Sequence, residues 1–334
     1  MTRRVFVHCG LPKTGTTSLQ NYLAQCAAEL GSVGFEYPRI GIDPVANAHH
    51  NLALDLLRRR NFDPALGTVA DFLAFLRDEK SGPDIVISSE IFSVCFGKMD
   101  TRERFYEFVR EIGKTSEAHI VFSFRKFWRR LDAGYLERLK TGKPNAPIPD
   151  QIRTTRLWHQ DFFGRMSALS EIVGKSHIAA LDVESAFPDS ISAMLATLGI
   201  DEALLPQRRG MLNVRPSLKK AAYLYRLQYT PGGRSLGRPR KEIIAIAHAI
   251  ENMPDIAGDE INYCVLSFDE ANEVQDGIRA LIPPLFADRL RKLVQPEAGP
   301  LRYVKLADAE LTDEDLKMFG EATHGLHFAA PPAL

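Results

Sequence analysis

Cysteine is scarce and neither basic nor acidic residues are in excess. Cys9, Cys26, Cys95 and Cys264 lie far apart in 334 residues without C-x-x-C spacing, which argues against a zinc site or a disulfide framework and for reduced, structural thiols. Lysine plus arginine and aspartate plus glutamate number 42 each. The overall field therefore attracts neither nucleic acid nor an anionic membrane, and any anion site must be local. Long apolar runs are missing too. "IIAIAHAI" at 243–250 is far too short to span a bilayer, and "MTRRVFVHCG" shows no leader-like apolar region or small-residue cleavage site. The expectation is a cytoplasmic protein without membrane insertion. No internal repeat and no low-complexity tract appears.

What is present is the alternation of βαβ units. Short, nearly continuous apolar runs at 4–9, 84–89, 119–124 and 177–182 read as strands covered on both faces. Helical patterns fall between them at 17–30, 50–60, 68–80, 101–115, 126–141, 154–173 and 185–198, with Gly31, Gly142 and Gly199 as stops. The strand signal fades after Pro216, "TPGGRSLGRPR" (230–240) reads as a loop, and the remainder is mainly helical. The fold expected is α/β: a three-layer, P-loop-type parallel sheet flanked by helices over 1–230, with a helical extension over 231–334.

The stretch "VFVHCGLPKTGTTSLQNYL" (5–23) is a strand, a glycine-bearing loop and a helix start. Gly10 and Gly15 keep the spacing of a Walker A loop, but Thr16 stands where that loop has its lysine, and Lys13 lies three residues earlier. Backbone N–H groups of residues 14–18 still converge on an anion at a helix N-terminus. Hydroxyls of Thr14, Thr16, Thr17 and Ser18 add donors, and Lys13 is placed to neutralise charge on a leaving phosphate oxygen. Pro12-Lys13-Thr14-Gly15-Thr16-Thr17 directly after a strand resembles the 5′-phosphosulfate loop of the sulfotransferases that use 3′-phosphoadenosine 5′-phosphosulfate (PAPS).

That resemblance implies further residues. The family's strand-end arginine, which holds the 3′-phosphate, matches Arg125 in "IVFSFRKFWRRLDAGYLERL", whereas its serine eight residues on is Ala133 here. Arg129 or Arg130 is the replacement donor on the same helix turn. "LPQRRGMLNVRPS" (205–217) resembles the segment closing over the 3′-phosphate and adenine, with Arg208 and Arg209 as its basic pair. "DIVISSEIFS" resembles a serine-serine-glutamate segment of the family. It puts Glu90 at the carboxyl edge of the sheet, where ligands bind in open α/β folds, as the base that takes the acceptor's proton.

His49 and His50 in "NAHHNLALDL" are alternative bases, and His8 is read as packing beside the loop. His324 and His327 lack a partner at metal-ligand spacing. The expected activity is sulfuryl transfer from PAPS to a hydroxyl or amine of a small-molecule or glycan acceptor, with no metal required. The competing readings are a P-loop kinase or ATPase with a degenerate loop, holding magnesium through Thr17 and Glu90, and a non-catalytic nucleotide-binding protein. "TGKPNAPIPD" (141–150) is read as a lid or a connector.

Overall fold

The apolar runs form strands β1 (Arg4–His8), β3 (Asp84–Ser88), β4 (Glu117–Phe124) and β5 (Ile178–Asp182), joined by a two-residue edge strand β2 (Phe35–Glu36). In this computed structural model, which describes residues 2–78, 81–184, 190–207, 215–230, 233–253, 256, 259, 263–295, 302–324 and 326, they make one sheet in the order β2-β3-β1-β4-β5. Every pairing is parallel. β2 is too short to show a period in the sequence, and its place at the sheet edge needs only two paired residues.

Helices α1 (Thr16–Gln25), α2 (Ala27–Leu30), α3 (His50–Leu56), α4 (Val69–Asp78), α5 (Met99–Gly113), α6 (Phe127–Lys140), α7 (Ile148–Val173) and α8 (Ser190–Leu198) connect or follow the strands. The two faces of the sheet are covered by different chemistry. On one, Phe6, Val86 and Val121 pack with Leu19, Tyr22 and Leu23 of α1 and Met194, Leu195 and Leu198 of α8. On the other, Phe122 and Phe124 meet Phe162 and Phe163 of α7, and Phe96 meets Phe105 of α5, with ring centroids 5.2–6.0 Å apart. This double covering explains why the central strands lack an in–out alternation of polarity: β1 and β3 are buried on both sides after their first residue.

Two boundaries differ from the sequence reading for local reasons. Helix α7 starts at Ile148, not 154, because Pro149 falls in its first turn, where a missing N–H costs nothing. Gly31 is right-handed, and the left-handed stop comes at Gly34 (φ 80°). Gly142 and Gly199 take the positive φ expected of helix ends.

The chain folds as two compact units. One comprises Met1–Phe127, Leu157–Asn213 and Gly277–Gln295, and holds the sheet. The other comprises Trp128–Arg156, Val214–Asp276 and Pro296–Leu334. It is therefore assembled from separated stretches, including part of α6 and α7, and not from the residues after 230 alone. Its core joins the helices Leu218–Gln228, Arg240–Glu251 and Asp313–Ala322, with Tyr223 stacked on Phe319 at 4.4 Å. The last helix opens on a capping box between Thr312 and Asp315. Among the described residues no helix is long and apolar enough to cross a membrane.

Candidate active site

β1 lies in the middle of the sheet, so the loop leaving it has the end of β3 on one side and the end of β4 on the other. The loop continues the pairing for a short distance. Leu11 N–H donates to Ser123 O (2.9 Å), Ser123 N–H donates to Gly10 O (2.8 Å), and Ser89 N–H donates to His8 O (3.0 Å). Gly10 (φ 65°), Lys13 (φ 70°) and Gly15 (φ 86°) then turn the chain through left-handed conformations. For Lys13 this costs about 1–2 kcal/mol, a strain of the kind that collects at ligand-binding loops.

α1 begins at Thr16 with Gly15 as its cap residue, and neither a side-chain cap nor an acidic first-turn residue satisfies its opening N–H groups. Such a start favours a bound anion. Pro12, Lys13, Thr17 and Ser18 are half-buried at this end and Gly15 is exposed, whereas Thr16 is buried. Thr14 departs from expectation: it too is buried, and its hydroxyl donates to Leu11 O at 2.6 Å, so it braces the loop from within instead of facing a ligand.

Gly10 lets Glu90 reach this loop. A Cβ at position 10 would lie 2.6 Å from Glu90 Cβ and 2.9 Å from its Cα, distances that atoms do not share. The carboxylate is oriented by a buried amide: Gln20 Nε2 donates to Glu90 Oε2 at 3.0 Å. On its other side His50 Nε2 stands 3.8 Å from Glu90 Oε1. His50 Nδ1 is 2.8 Å from Ser89 Oγ, and that oxygen already accepts Ile91 N–H (3.2 Å). That serine ties the His50 ring to the backbone that follows β3, with Nε2 on the side of Glu90.

His49 does not join them. It is wholly buried, with Nε2 donating to Pro38 O (2.9 Å) and Nδ1 accepting Ser88 N–H (3.2 Å). Burial pushes its pKa down to about 3, against the pull of those backbone bonds. With both nitrogens engaged it secures the end of β3, and its reading as a base is corrected to a backbone support. His8 is packed, as its sequence position suggests, and is also bonded. Its Nδ1 lies 2.8 Å from Ser88 Oγ and its Nε2 2.9 Å from Ser123 Oγ. Burial lowers its pKa to about 4, with the Glu90 charge acting the other way.

Arg125 follows β4 directly and is half-exposed. Its Nε donates to Glu184 Oε1 at 2.7 Å, a partner that sequence gives no sign of because Glu184 lies after the next strand. Arg130 and Ala133 fall in the second unit, where burial lowers the Arg130 pKa to about 10; Arg129 is over the Trp128 ring at 5.1 Å. Arg208 and Arg209 lie outside the described residues, as does His327, and His324 is exposed. Tyr22 of α1 donates its hydroxyl to Pro206 O (2.7 Å), tying the start of the 205–217 segment beside the loop helix.

No protein-family model and no curated protein matches the chain. Among solved structures it is similar to a sulfotransferase from Alicyclobacillus acidocaldarius, with 17% identity over 64% of this chain and 87% of that one, at a TM-score of 0.35. A likeness at that level carries no weight for function. The site itself brings Glu90, Gln20 and His50 together beside Gly10 of the loop that carries Lys13 and leads into α1, with Arg125 just past the end of the neighbouring strand. Sequence reasoning missed Gln20, Glu184 and the Ser88–His8–Ser123 row, since only the sheet's register and the helix's rotation place them.

Proposed function

We infer that this chain is a PAPS-dependent sulfotransferase acting on a hydroxyl or amine of a small-molecule or glycan acceptor. The observation that carries this reading is the close approach of Glu90 to the loop at Gly10, which supports a carboxylate base acting beside the loop that carries Lys13. A kinase loop keeps its lysine at the position held here by buried Thr16.

The residues present fit the donor's two anionic ends. The uncapped start of α1, with Lys13, Thr17 and Ser18, suits the 5′-phosphosulfate. Arg125 suits the 3′-phosphate, because Nε serves Glu184 while the guanidinium has further N–H donors to offer. PAPS supplies an activated sulfuryl group on a phosphate oxygen. Lys13 neutralises the charge left on that oxygen. Glu90 takes the acceptor's proton, held toward it by Gln20 and His50. The acceptor hydroxyl or amine is thereby freed to form its bond to sulfur.

Thermal shift tests the reading. 3′,5′-Bisphosphoadenosine without magnesium is expected to raise Tm, and ATP or ADP with magnesium to do little. A reversed ranking transfers the site to phosphoryl chemistry.

A further inference from the structure

The opposite end of the same sheet holds a second set of donors. Glu117 and His119 are two residues apart on β4, so both side chains leave one face of the strand. His177 precedes β5, and the pairing of Ile120 with Ile178 brings it alongside His119. The two imidazoles lie 4.4 Å apart, centroid to centroid. One ligating atom from each of Glu117, His119 and His177 falls within 4.8 Å of the others, which among the described residues singles this group out.

Its geometry is not that of ordinary hydrogen bonding. His119 Nε2 is buried with no hydrogen-bond partner. Glu117 Oε2 faces it at 3.6 Å, beyond hydrogen-bond length, yet close to the separation of two donors each about 2.0–2.1 Å from one zinc ion. The Glu117 side chain is half-exposed and has rotamer freedom to close the rest. Arg4, the nearby cation over the Phe6 ring, is occupied by Asp84, to which its Nε donates at 2.7 Å.

We propose that Glu117, His119 and His177 bind a zinc ion that clips β4 to the entry of β5, with a fourth coordination position open to water. Two imidazoles and one carboxylate suit zinc and other borderline divalent ions, and disfavour magnesium and calcium, which take oxygen donors. The site is separate from the phosphate loop: Glu117 pairs with Arg4 at one end of the strand, while Ser123 meets Leu11 at the other. Cysteine spacing argued against zinc, but these donors come from strand register, to which such spacing is blind.

The test uses the full-length chain stripped with a chelator. Added zinc is expected to bind one ion per chain and raise Tm, and magnesium to do neither. His177→Asn and Glu117→Gln should each weaken zinc by at least the roughly 10–100-fold that loss of an outer-shell partner costs. His119→Asn should do the same, and if it fails to fold the other two variants decide, Glu117 being at a solvent-facing position. Cobalt in place of zinc should give a four-coordinate visible spectrum that His177→Asn abolishes. No zinc uptake by the wild-type chain, or uptake untouched by His177→Asn and Glu117→Gln, overturns the proposal.

Discussion

The two ends of this sheet carry histidine and glutamate in different states of engagement. At the carboxyl end, His8, His49, His50 and Gln20 each make hydrogen bonds at 2.8–3.3 Å, and Glu90 accepts one of these from Gln20 with His50 Nε2 3.8 Å away. At the amino end, Glu117 and His119 approach to 3.6 Å, much as Glu90 and His50 do, but His119 Nε2 is buried without a hydrogen bond and His177 stands beside it. A bonded network fixes a side chain's direction for something that arrives from outside, whereas a gap among donors is shaped for something that sits between them.

The contrast breaks most sharply at Glu90. If the network serves to aim a base, Glu90→Gln should lower turnover by about 10²–10⁴-fold while leaving the bisphosphate-induced rise in Tm intact; an unchanged turnover would move the base to His50. Lys13→Ala should cost about 10²–10³-fold in kcat and also reduce the nucleotide's Tm shift, so the two variants separate base from cradle.

Acid comes next in size. Burial holds His8 and His49 neutral, at pKa values of about 4 and about 3, below the ordinary 6.5. The unfolded chain therefore binds protons first as pH falls, so stability is full above about 6.5 and is lost on descent toward 4. The contribution of His8 alone is on the order of 3 kcal/mol. Denaturant titrations between pH 7 and 4.5 should show this slope, and His8→Gln should flatten it.

At Arg125, replacement by Gln should weaken bisphosphate binding by roughly 10–100-fold, the loss expected for a hydrogen bond to a charged group. Glu184→Gln should tighten binding modestly if the two acids, carboxylate and phosphate, compete for the guanidinium; calorimetry on both variants checks it. Smallest of all, Glu117→Gln without zinc should change stability by no more than about 0.5 kcal/mol, since that exposed carboxylate makes only a 3.6 Å contact with His119 until an ion is present.

Much of the fold was legible because it rests on local pattern. The four longer strands are apolar runs, the loop is marked by Gly10 and Gly15, and Glu90 follows two residues after a buried strand. What escaped rests on distance along the chain. β2 is paired by only two residues, Glu184 meets Arg125 across 59 positions, and Gln20 reaches Glu90 across 70. His49 and His50 are neighbours in sequence with similar promise, yet the single step from cap residue to first residue of α3 sends the first into the backbone of Pro38 and Ser88 and the second toward Glu90. Thr14 and Thr16 likewise read as donors and both are buried, Thr14 with its hydroxyl donating to Leu11 O and left-handed Gly15 standing between the two.

One amide has a reach beyond its neighbour. Gln20 Nε2 also donates to Ser88 Oγ, at 3.3 Å, the oxygen that meets His8 Nδ1 at 2.8 Å, and His8 Nε2 in turn meets Ser123 Oγ at 2.9 Å. A single side chain on the helix thus ties the Glu90 carboxylate to a polar row that runs across three strands of the sheet. Replacing Gln20 with methionine, close to it in length, would fill the space yet cut the carboxylate loose from that row.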